Sequence, residues 1–294
     1  MNKNRIVRVL LATVSLAAML VGTGVSANSS ATAATTKKLL WSQEFAGKAG
    51  VAPSSTFFKH DLGNGFGWGN AELEYYTAGS ANMATDGKGN MVITARRIPD
   101  TSPILNSCDN CQFTSAKVTT AGKLGFKYGR LEARIKTPAG SGMWPAFWML
   151  GSSLVSGNTW PDCGEIDILE GKGSEPFRAY GTVHGPGYFG GNGTQRGSVY
   201  DNNAPLSDGY HVYAIEWRPN AIDFYFDSYK YYTISSAMVK PNKWVFNNEF
   251  YLIINLATGG NFEPNLDPNI QSATMSLDYI RYYSINGIGT LIKH

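Results

Sequence analysis

Hydrophobic and polar residues alternate along short segments of this chain, and Gly, Asn, Pro and Ser separate the segments. Within 129–136, Leu131, Ala133 and Ile135 alternate with charged residues, the pattern of a strand with one buried face. No segment keeps helical periodicity for four turns, although a single turn is predicted at 235–238. The predicted strands are 41–45, 91–95, 117–121, 129–136, 144–150, 165–170, 180–184, 210–217, 221–226, 251–256 and 275–283. The pattern predicts one all-β domain without repeats.

One predicted strand, from Gly164 to Glu170, carries three acidic residues among apolar ones. Side chains alternate between the faces of a strand, so Glu165 and Asp167 share a face that Glu170 would not. A one-residue β-bulge between Asp167 and Glu170 would return Glu170 to that face. Three neighbouring carboxylates repel one another, which raises the pKa of one and favours a proton near neutral pH. Glycoside hydrolysis needs such a pair of one acid and one carboxylate. An edge strand with an acidic outer face is the alternative.

Tryptophans flank the acidic strand on both sides. Trp144 and Trp148 precede it and have the same parity, so a strand would present both indoles on one face. Trp160 follows them, just before the acidic strand. Large exposed aromatic rings usually mark binding sites and stack on the apolar faces of sugars. These three residues are therefore predicted to bind substrate, and burial in the core is the alternative for Trp144 and Trp148.

The stretch from Trp144 to Glu170 resembles glycoside hydrolase family 16, in particular the bacterial laminarinase-like endo-β-1,3-glucanases. That family carries Glu-x-Asp-x-x-Glu, matched here by Glu165, Asp167 and Glu170, whereas the related lichenases lack the extra residue. The likeness continues through 68–77, 128–134, 184–187, 252–257 and 277–283. The resemblance implies a curved antiparallel β-jelly-roll sandwich of the concanavalin A-like lectin/glucanase type. It also implies retaining endo-hydrolysis of β-1,3-glucans such as laminarin.

The same resemblance implies roles for individual residues. Glu165 is expected to be the nucleophile, Glu170 the protonated acid/base and Asp167 the group that tunes them, with no cofactor for catalysis. Further substrate contacts are expected from Trp68, Asn70, Arg130 and His184. The alternatives are a turn for Asn70, a salt bridge on the strand face for Arg130, and a structural hydrogen bond for His184, which is expected to contact sugar or Asp167.

A structural calcium ion is a further expectation from the resemblance. The side chain of Asp278 and main-chain oxygens of Glu44 and Gly89 would bind it, a mixed oxygen set of the kind that calcium prefers. The alternative is an Asp278 that bonds to backbone amides.

The N-terminal segment has the composition of an export signal. Lys3, Arg5 and Arg8 precede an apolar run that ends in small residues, which predicts a signal peptide at 1–27, a spacer at 28–38 and the enzyme domain at 39–294. Cleavage after Ala27 would remove three of 25 basic residues and none of 22 acidic residues, leaving 22 of each. A neutral, secreted protein is a poor partner for nucleic acid or anionic membranes. It suits an uncharged β-glucan, and a monomer is expected.

Two alternatives to a β-1,3-glucanase stay open at this point. One is the same fold acting on another β-glycan, such as mixed-linkage glucan or a galactan, and the other is a non-catalytic glucan-binding lectin. The three cysteines add little to the choice. Cys108 and Cys111 could pair as a local staple, while Cys163 is predicted to be unpaired and buried.

Overall fold

Short strands make up most of the regular structure in a computed structural model that describes residues 35–108, 110–191, 195–201 and 204–294. In chain order they are β1 (Lys37–Gln43), β2 (Lys59–Asp61), β3 (Glu74–Tyr76), β4 (Met83–Thr85), β5 (Met91–Arg97), β6 (Phe113–Ser115), β7 (Lys117–Thr119), β8 (Leu124–Lys127), β9 (Gly129–Lys136), β10 (Met143–Gly151), β11 (Glu165–Gly171), β12 (Arg178–His184), β13 (Gln195–Tyr200), β14 (His211–Arg218), β15 (Ala221–Phe226), β16 (Tyr229–Ser235), β17 (Phe250–Thr258), β18 (Ser272–Ile285) and β19 (Thr290–Lys293). Three 3₁₀ turns lie at Gly67–Gly69, Pro103–Ser107 and Ser152–Leu154.

The strands form two sheets. The front sheet, which contains the acidic strand β11, has the order β13-β12-β11-β10-β17-β7-β2, with β8 beside β17 and β19 beside β8. The back sheet has the order β16-β15-β14-β9-β18-β5-β6-β3, with β1 beside β18 and β4 beside β5. Neighbouring strands are antiparallel except for the short parallel pair of β3 and β6. The predicted all-β class and antiparallel sandwich are confirmed.

The main hydrophobic core joins the two sheets. Phe147 and Ile166 of the front sheet belong to the same buried cluster as Leu131 and Ile280 of the back sheet. Because side chains alternate along a strand, the front-sheet residues of the other parity lie on the opposite face, away from the back sheet. We call this opposite face of the front sheet the front face.

Some strands were predicted with their observed bounds, and others were missed. The strands predicted at 129–136 and 221–226 have the observed bounds. The three-residue strands β2, β3, β4 and β6 escaped prediction, because three residues carry too little alternation to detect, and the longer strands β8, β13, β16 and β19 were missed as well. The predicted turn at 235–238 is present, with Met238 N–H donating to Ser235 O at 2.9 Å.

The N-terminal boundary differs slightly from the expectation. Strand β1 begins at Lys37, inside the range 28–38 expected as a spacer, because it pairs with β18 from Lys37 onward. Residues 1–34, which include the predicted signal peptide, lie outside the described residues. None of the helices in the described part of the chain has the length and apolar character needed to cross a membrane.

The cysteines follow the sequence expectation. Cys108 and Cys111 form a disulfide with a Cα–Cα distance of 5.6 Å. Cys163 is free and buried, in a small cluster with Leu150 and Tyr251 on the front face.

Candidate active site

A β-bulge in β11 brings the three acidic residues onto one face. The residues paired between β11 and β12 are Glu165 with His184, Asp167 with Thr182, and Glu170 with Tyr180. These partners are every second residue of β12 and therefore point to one side, which is also the side of the acidic residues. The pairing shifts between Asp167 and Glu170, where three steps on β11 match two on β12. The predicted bulge is confirmed.

A glycine at the start of β11 sets the entry of the acidic strand. Gly164 has a φ of +84°, a conformation that a side chain would strain. A Cβ at this position would also lie 2.9 Å from Phe250 and from Val245 in the core. The backbone can therefore turn tightly over the core and present Glu165 on the front face.

The carboxylate of Glu165 lies near two rings, and one of them donates a hydrogen bond to it. The indole N–H of Trp160 donates to Glu165 Oε2 at 2.7 Å, and His184 Nε2 lies 3.7 Å from Oε1. Burial raises the pKa of Glu165 well above its ordinary value, and the charges of Asp167 and Glu170 raise it further. His184 and the Trp160 hydrogen bond lower that pKa. The Trp160 hydrogen bond and a positive charge on His184 thus oppose the effect of burial.

His184 links Glu165 to Asp167. Its Nε2 lies 3.3 Å from Asp167 Oδ2, and its Nδ1 accepts a hydrogen bond from the backbone N–H of Gly190 at 3.2 Å. Because Nδ1 accepts, a neutral His184 ring carries its hydrogen on Nε2, directed at the carboxylates. One ligand atom from each of Glu165, Asp167 and His184 lies within 4.8 Å of the others, so this group could also hold a metal ion.

Glu170 occupies the other end of the acidic strand. It is buried, and its Oε2 accepts a hydrogen bond from the hydroxyl of Thr182 at 3.1 Å. Its role as the proton donor rests on the family resemblance and stays a prediction.

Trp148 lies beside the acidic residues and within an aromatic group that surrounds Lys117. Trp148 is paired with Asp167 across β10 and β11. The Lys117 Nζ lies 4.1 Å from the ring centroid of Trp68, 5.3 Å from that of Trp148 and 6.0 Å from that of Tyr76. These distances are those of cation–π contacts. The ammonium therefore joins two of the predicted sugar-binding indoles, Trp68 and Trp148.

A chain of hydrogen bonds fixes the orientation of Trp148. Its indole N–H donates to Asn255 Oδ1 at 2.7 Å, and Asn255 Nδ2 donates to the hydroxyl of Tyr76 at 2.9 Å. Sequence reasoning missed Lys117, Tyr76 and Asn255. Only Asn255 left a local signal, as a polar residue inside the apolar run 251–257.

Trp144 forms part of a second aromatic group, near Glu170. Its ring centroid lies 4.9 Å from that of Phe262, which lies 5.7 Å from that of Tyr180. Trp144 lies on the front face, where it was predicted to bind substrate, but its side chain is only 9% exposed. The burial left open as its alternative is therefore also observed. Its indole nitrogen has no hydrogen-bond partner among the described residues.

The loop that carries Trp68 and Asn70 lies at the edge of this face. Trp68 has a φ of +50°, and its ring packs 5.6 Å from that of Tyr76. Asn70 Nδ2 donates to Glu72 Oε1 at 3.1 Å, so Glu72 fixes its amide. Trp68 therefore joins the aromatic group around Lys117, and Asn70 lies next to it in the chain.

Arg130 requires a correction, because the structure does not bring it to the acidic strand. It lies in β9 of the back sheet, where Nε donates to Glu132 Oε2 at 2.6 Å and Nη1 to Glu216 Oε1 at 3.2 Å. The alternation of β9 turns Leu131 into the core and Arg130 to the outside. The salt bridge, left open as its alternative, is what the structure shows.

The residues expected to bind calcium meet at one end of the back sheet. Pairing of Met91 with Leu277, and of Gln43 with Ile280, brings Gly89 and Glu44 toward Asp278. The Asp278 carboxylate accepts a hydrogen bond from Arg134 Nη1 at 2.6 Å, and the Glu44 carboxylate pairs with Arg281. Both carboxylates are thus engaged by arginines, and the calcium site stays a prediction.

The fold and these side chains together define a class of protein. A β-sandwich with paired carboxylates and indoles on one face has the parts of a glycoside hydrolase. The description "Glycosyl hydrolases family 16" applies to the family model that matches residues 71–281, and the chain belongs to this family. The resemblance read from the sequence is confirmed.

Known proteins with similar sequences and structures support this assignment. The chain is 39% identical to the β-glucanase of Rhodothermus marinus over 254 residues, which cover 84% of this chain and 85% of the relative. It is similar to the endo-β-1,3-glucanase of Pyrococcus furiosus, with a TM-score of 0.78, 39% identity and coverage of 85% and 95%. For the laminarinase catalytic domain of Thermotoga maritima the TM-score is 0.77, with 37% identity and coverage of 84% and 98%.

Proposed function

We propose that this protein is an endo-β-1,3-glucanase that hydrolyses internal bonds of β-glucans such as laminarin with retention of configuration. The observation that carries the proposal is the bulged strand, which places Glu165, Asp167 and Glu170 on one face, next to Trp148 of the neighbouring strand β10. The similar proteins include endo-β-1,3-glucanases and laminarinases, which supports the linkage.

The reaction follows from the positions of the two glutamates. Glu165, oriented by Trp160, attacks the anomeric carbon and forms a glycosyl-enzyme ester. Glu170 donates its proton to the departing glycosidic oxygen as that bond breaks. Glu170 then takes a proton from water, the water attacks the ester, and Glu165 leaves as a carboxylate.

Attack requires Glu165 to be ionised while Glu170 holds the proton. Burial opposes ionisation of Glu165, and the Trp160 hydrogen bond acts in the other direction, as does the charge of His184 when its ring is protonated. Asp167 lies between the two glutamates, close to His184. It favours keeping one proton in the group, and its loss is expected to lower the rate more than binding.

Reducing-end release tests the proposal. The protein without residues 1–27 is incubated with laminarin, barley mixed-linkage glucan, agarose and carrageenan, beside Glu165→Gln and Glu170→Gln. A matched control is Glu216→Gln, which changes a glutamate on the back sheet that pairs with Arg130. We expect the wild type and the control variant to cleave laminarin and both active-site variants to lose this activity. Cleavage of another polymer alone, or laminarin binding without cleavage, would refute it.

Stereochemistry gives a separate check of the mechanism. Proton NMR of the first product must show the β anomer before mutarotation, since two displacements retain configuration. An α anomer would mean that Glu165 acts as a base toward water and not as a nucleophile.

Two further parts of the proposal concern the whole protein. Residues 1–27 are proposed to direct secretion, which N-terminal sequencing of the protein from culture medium tests. A structural calcium ion is proposed to bind the Asp278 carboxylate and the main-chain oxygens of Glu44 and Gly89. Added calcium should raise the melting temperature, and Asp278→Asn should abolish that increase; equal melting with calcium and with chelator would refute the site.

A further inference from the structure

A second pair of acidic residues lies beneath the loop that carries Trp68 and Asn70. Glu74 is 0% exposed and Glu72 is 8% exposed, yet neither takes part in the reaction described above. Glu72 forms a β-bridge with Gly259, and the backbone N–H of Leu73 donates to Thr258 O at 2.8 Å. The pair therefore lies where this loop joins the end of β17, a strand of the front sheet.

The two oxygens of Glu74 have different surroundings. Oε2 accepts a hydrogen bond from the backbone N–H of Thr258 at 2.6 Å. Oε1 is buried and has no partner with ordinary hydrogen-bond geometry among the described residues, although the Tyr76 hydroxyl is near enough to lower the pKa of Glu74. Glu72 is close enough to influence Glu74 by both charge and hydrogen bonding. Two carboxylates cannot hydrogen-bond to each other, whereas a proton on Oε1 makes Glu74 a donor and Glu72 its acceptor.

We propose that Glu74 is a positioning residue for glucan hydrolysis: as a neutral acid it donates its proton to Glu72 and so holds the loop of Asn70 against the front sheet. Glu72 also accepts hydrogen bonds from Asn70 Nδ2 at 3.1 Å and from the hydroxyl of Tyr76 at 3.4 Å. The same Tyr76 hydroxyl accepts from Asn255, which orients Trp148. The buried proton thus connects the loop to the indole beside Asp167.

The charges around the pair are consistent with one proton. Lys117 contributes a positive charge from β7, and Asp61 at the end of β2 contributes a negative one. Burial raises the pKa of Glu74 well above its ordinary value, and the charge of Glu72 raises it further. Burial lowers the pKa of Lys117, although the surrounding carboxylates oppose this. When Glu74 is neutral, fewer negative charges surround the ammonium of Lys117.

The first test is the pH dependence of stability, which needs no substrate. The pKa of Glu74 is raised in the folded state, so its contribution is present at low pH and is lost as pH rises through the folded pKa. Melting temperatures between pH 6 and 10 should fall more steeply for the wild type than for Glu74→Gln, whose amide donates without titrating. If the melting temperatures of the wild type and Glu74→Gln fall equally steeply with pH, the proposal is overturned. Any loss of stability at alkaline pH would then come from Lys117 or another group.

A matched control is available in Glu263, which is also 0% exposed. Both of its oxygens accept hydrogen bonds, from Gly142 N–H at 2.8 Å and from the Ser174 hydroxyl at 2.6 Å. In Glu263→Gln the side-chain oxygen can still accept from Gly142 N–H, and the amide N–H can donate to the Ser174 hydroxyl, which rotates to accept. This variant leaves the Glu72–Glu74 pair unchanged, so its melting temperature should fall with pH as steeply as that of the wild type. Glu74→Gln should lower the melting temperature little at pH 6. An equally flattened pH dependence in both variants would overturn the assignment of the proton to Glu74.

The second test is kinetic, and this arm rests on the proposed function. With laminarin at pH 6, Glu74→Leu should raise KM by about tenfold with a smaller change in kcat, because sugar-binding groups lose their positions. Glu74→Gln should restore KM to within about twofold of the wild type. If KM of Glu74→Gln is raised as much as that of Glu74→Leu, the proposal is overturned. If Glu74→Leu fails to fold, a KM of Glu74→Gln well above that of the wild type overturns it. Absence of activity in the wild type would refute the proposed function but leave the stability test valid.

Discussion

Replacing Trp160 by phenylalanine should change the pH at which the enzyme becomes active. The substitution keeps an aromatic ring but removes the N–H that donates to Glu165 Oε2 at 2.7 Å. This hydrogen bond lowers the pKa of Glu165, so its loss should raise that pKa further above the ordinary value. Since the nucleophile must be ionised, the acidic limb of kcat/KM should move to higher pH.

The size of the shift follows from the exposure of the donor. A hydrogen bond to a charged group contributes about 1.5 to 3 kcal/mol, and the lower end applies because Trp160 is 43% exposed and water can replace its N–H. About 1.4 kcal/mol corresponds to roughly one pKa unit and to roughly tenfold in rate. We expect the limb to move up by about one unit, with about a tenfold loss in kcat/KM below it.

The assay is kcat/KM on laminarin at half-unit steps of pH, for the wild type and for Trp160→Phe. Trp144→Phe is the control, because the indole nitrogen of Trp144 has no hydrogen-bond partner among the described residues. Trp144→Phe should change KM but leave the acidic limb of kcat/KM at the same pH as in the wild type. If the acidic limb of Trp160→Phe lies at the same pH as that of the wild type, the proposed role of this hydrogen bond is refuted, whatever the change in KM.

Three further predictions follow from contacts away from Trp160. His184→Asn should lower kcat by roughly tenfold with little change in KM, because the ring N–H near the carboxylates is lost; an unchanged kcat would contradict this. Tyr76→Phe should destabilise the protein by about 1 to 3 kcal/mol in urea unfolding, since the hydroxyl accepts from Asn255 and both are buried; a loss below about 0.5 kcal/mol would count against the network. Replacing Cys108 and Cys111 by serine should cost about 2 kcal/mol, the chain-entropy value for a sequence separation of 3, and a melting temperature equal to that of the wild type would argue against it.

Much of the fold and the acidic strand could be predicted from the sequence, because both depend on short-range order. Alternation with a period of two identified β9 and β15 with their observed bounds. The spacing of Asp167 and Glu170 implied a bulge, since only one extra residue restores their common face. The bounds of β3 could not be predicted, because three residues carry too little alternation.

Other features depend on residues that meet only in the folded protein. Sequence resemblance placed Arg130 at the substrate, but pairing of β9 with β14 puts it beside Glu216 on the back sheet. Lys117 and Trp68 come from distant parts of the chain, and their contact leaves no local pattern.

The desolvation of the acidic groups was likewise decided by tertiary structure. The resemblance assigned the proton of β11 to Glu170, but no local pattern shows how strongly each carboxyl group is buried. Burial together with Asp167 raises the pKa of Glu165, and burial together with Glu72 raises that of Glu74. Desolvation and charge act through space, so their balance is set by what packs around each carboxyl group and not by its neighbours in the chain.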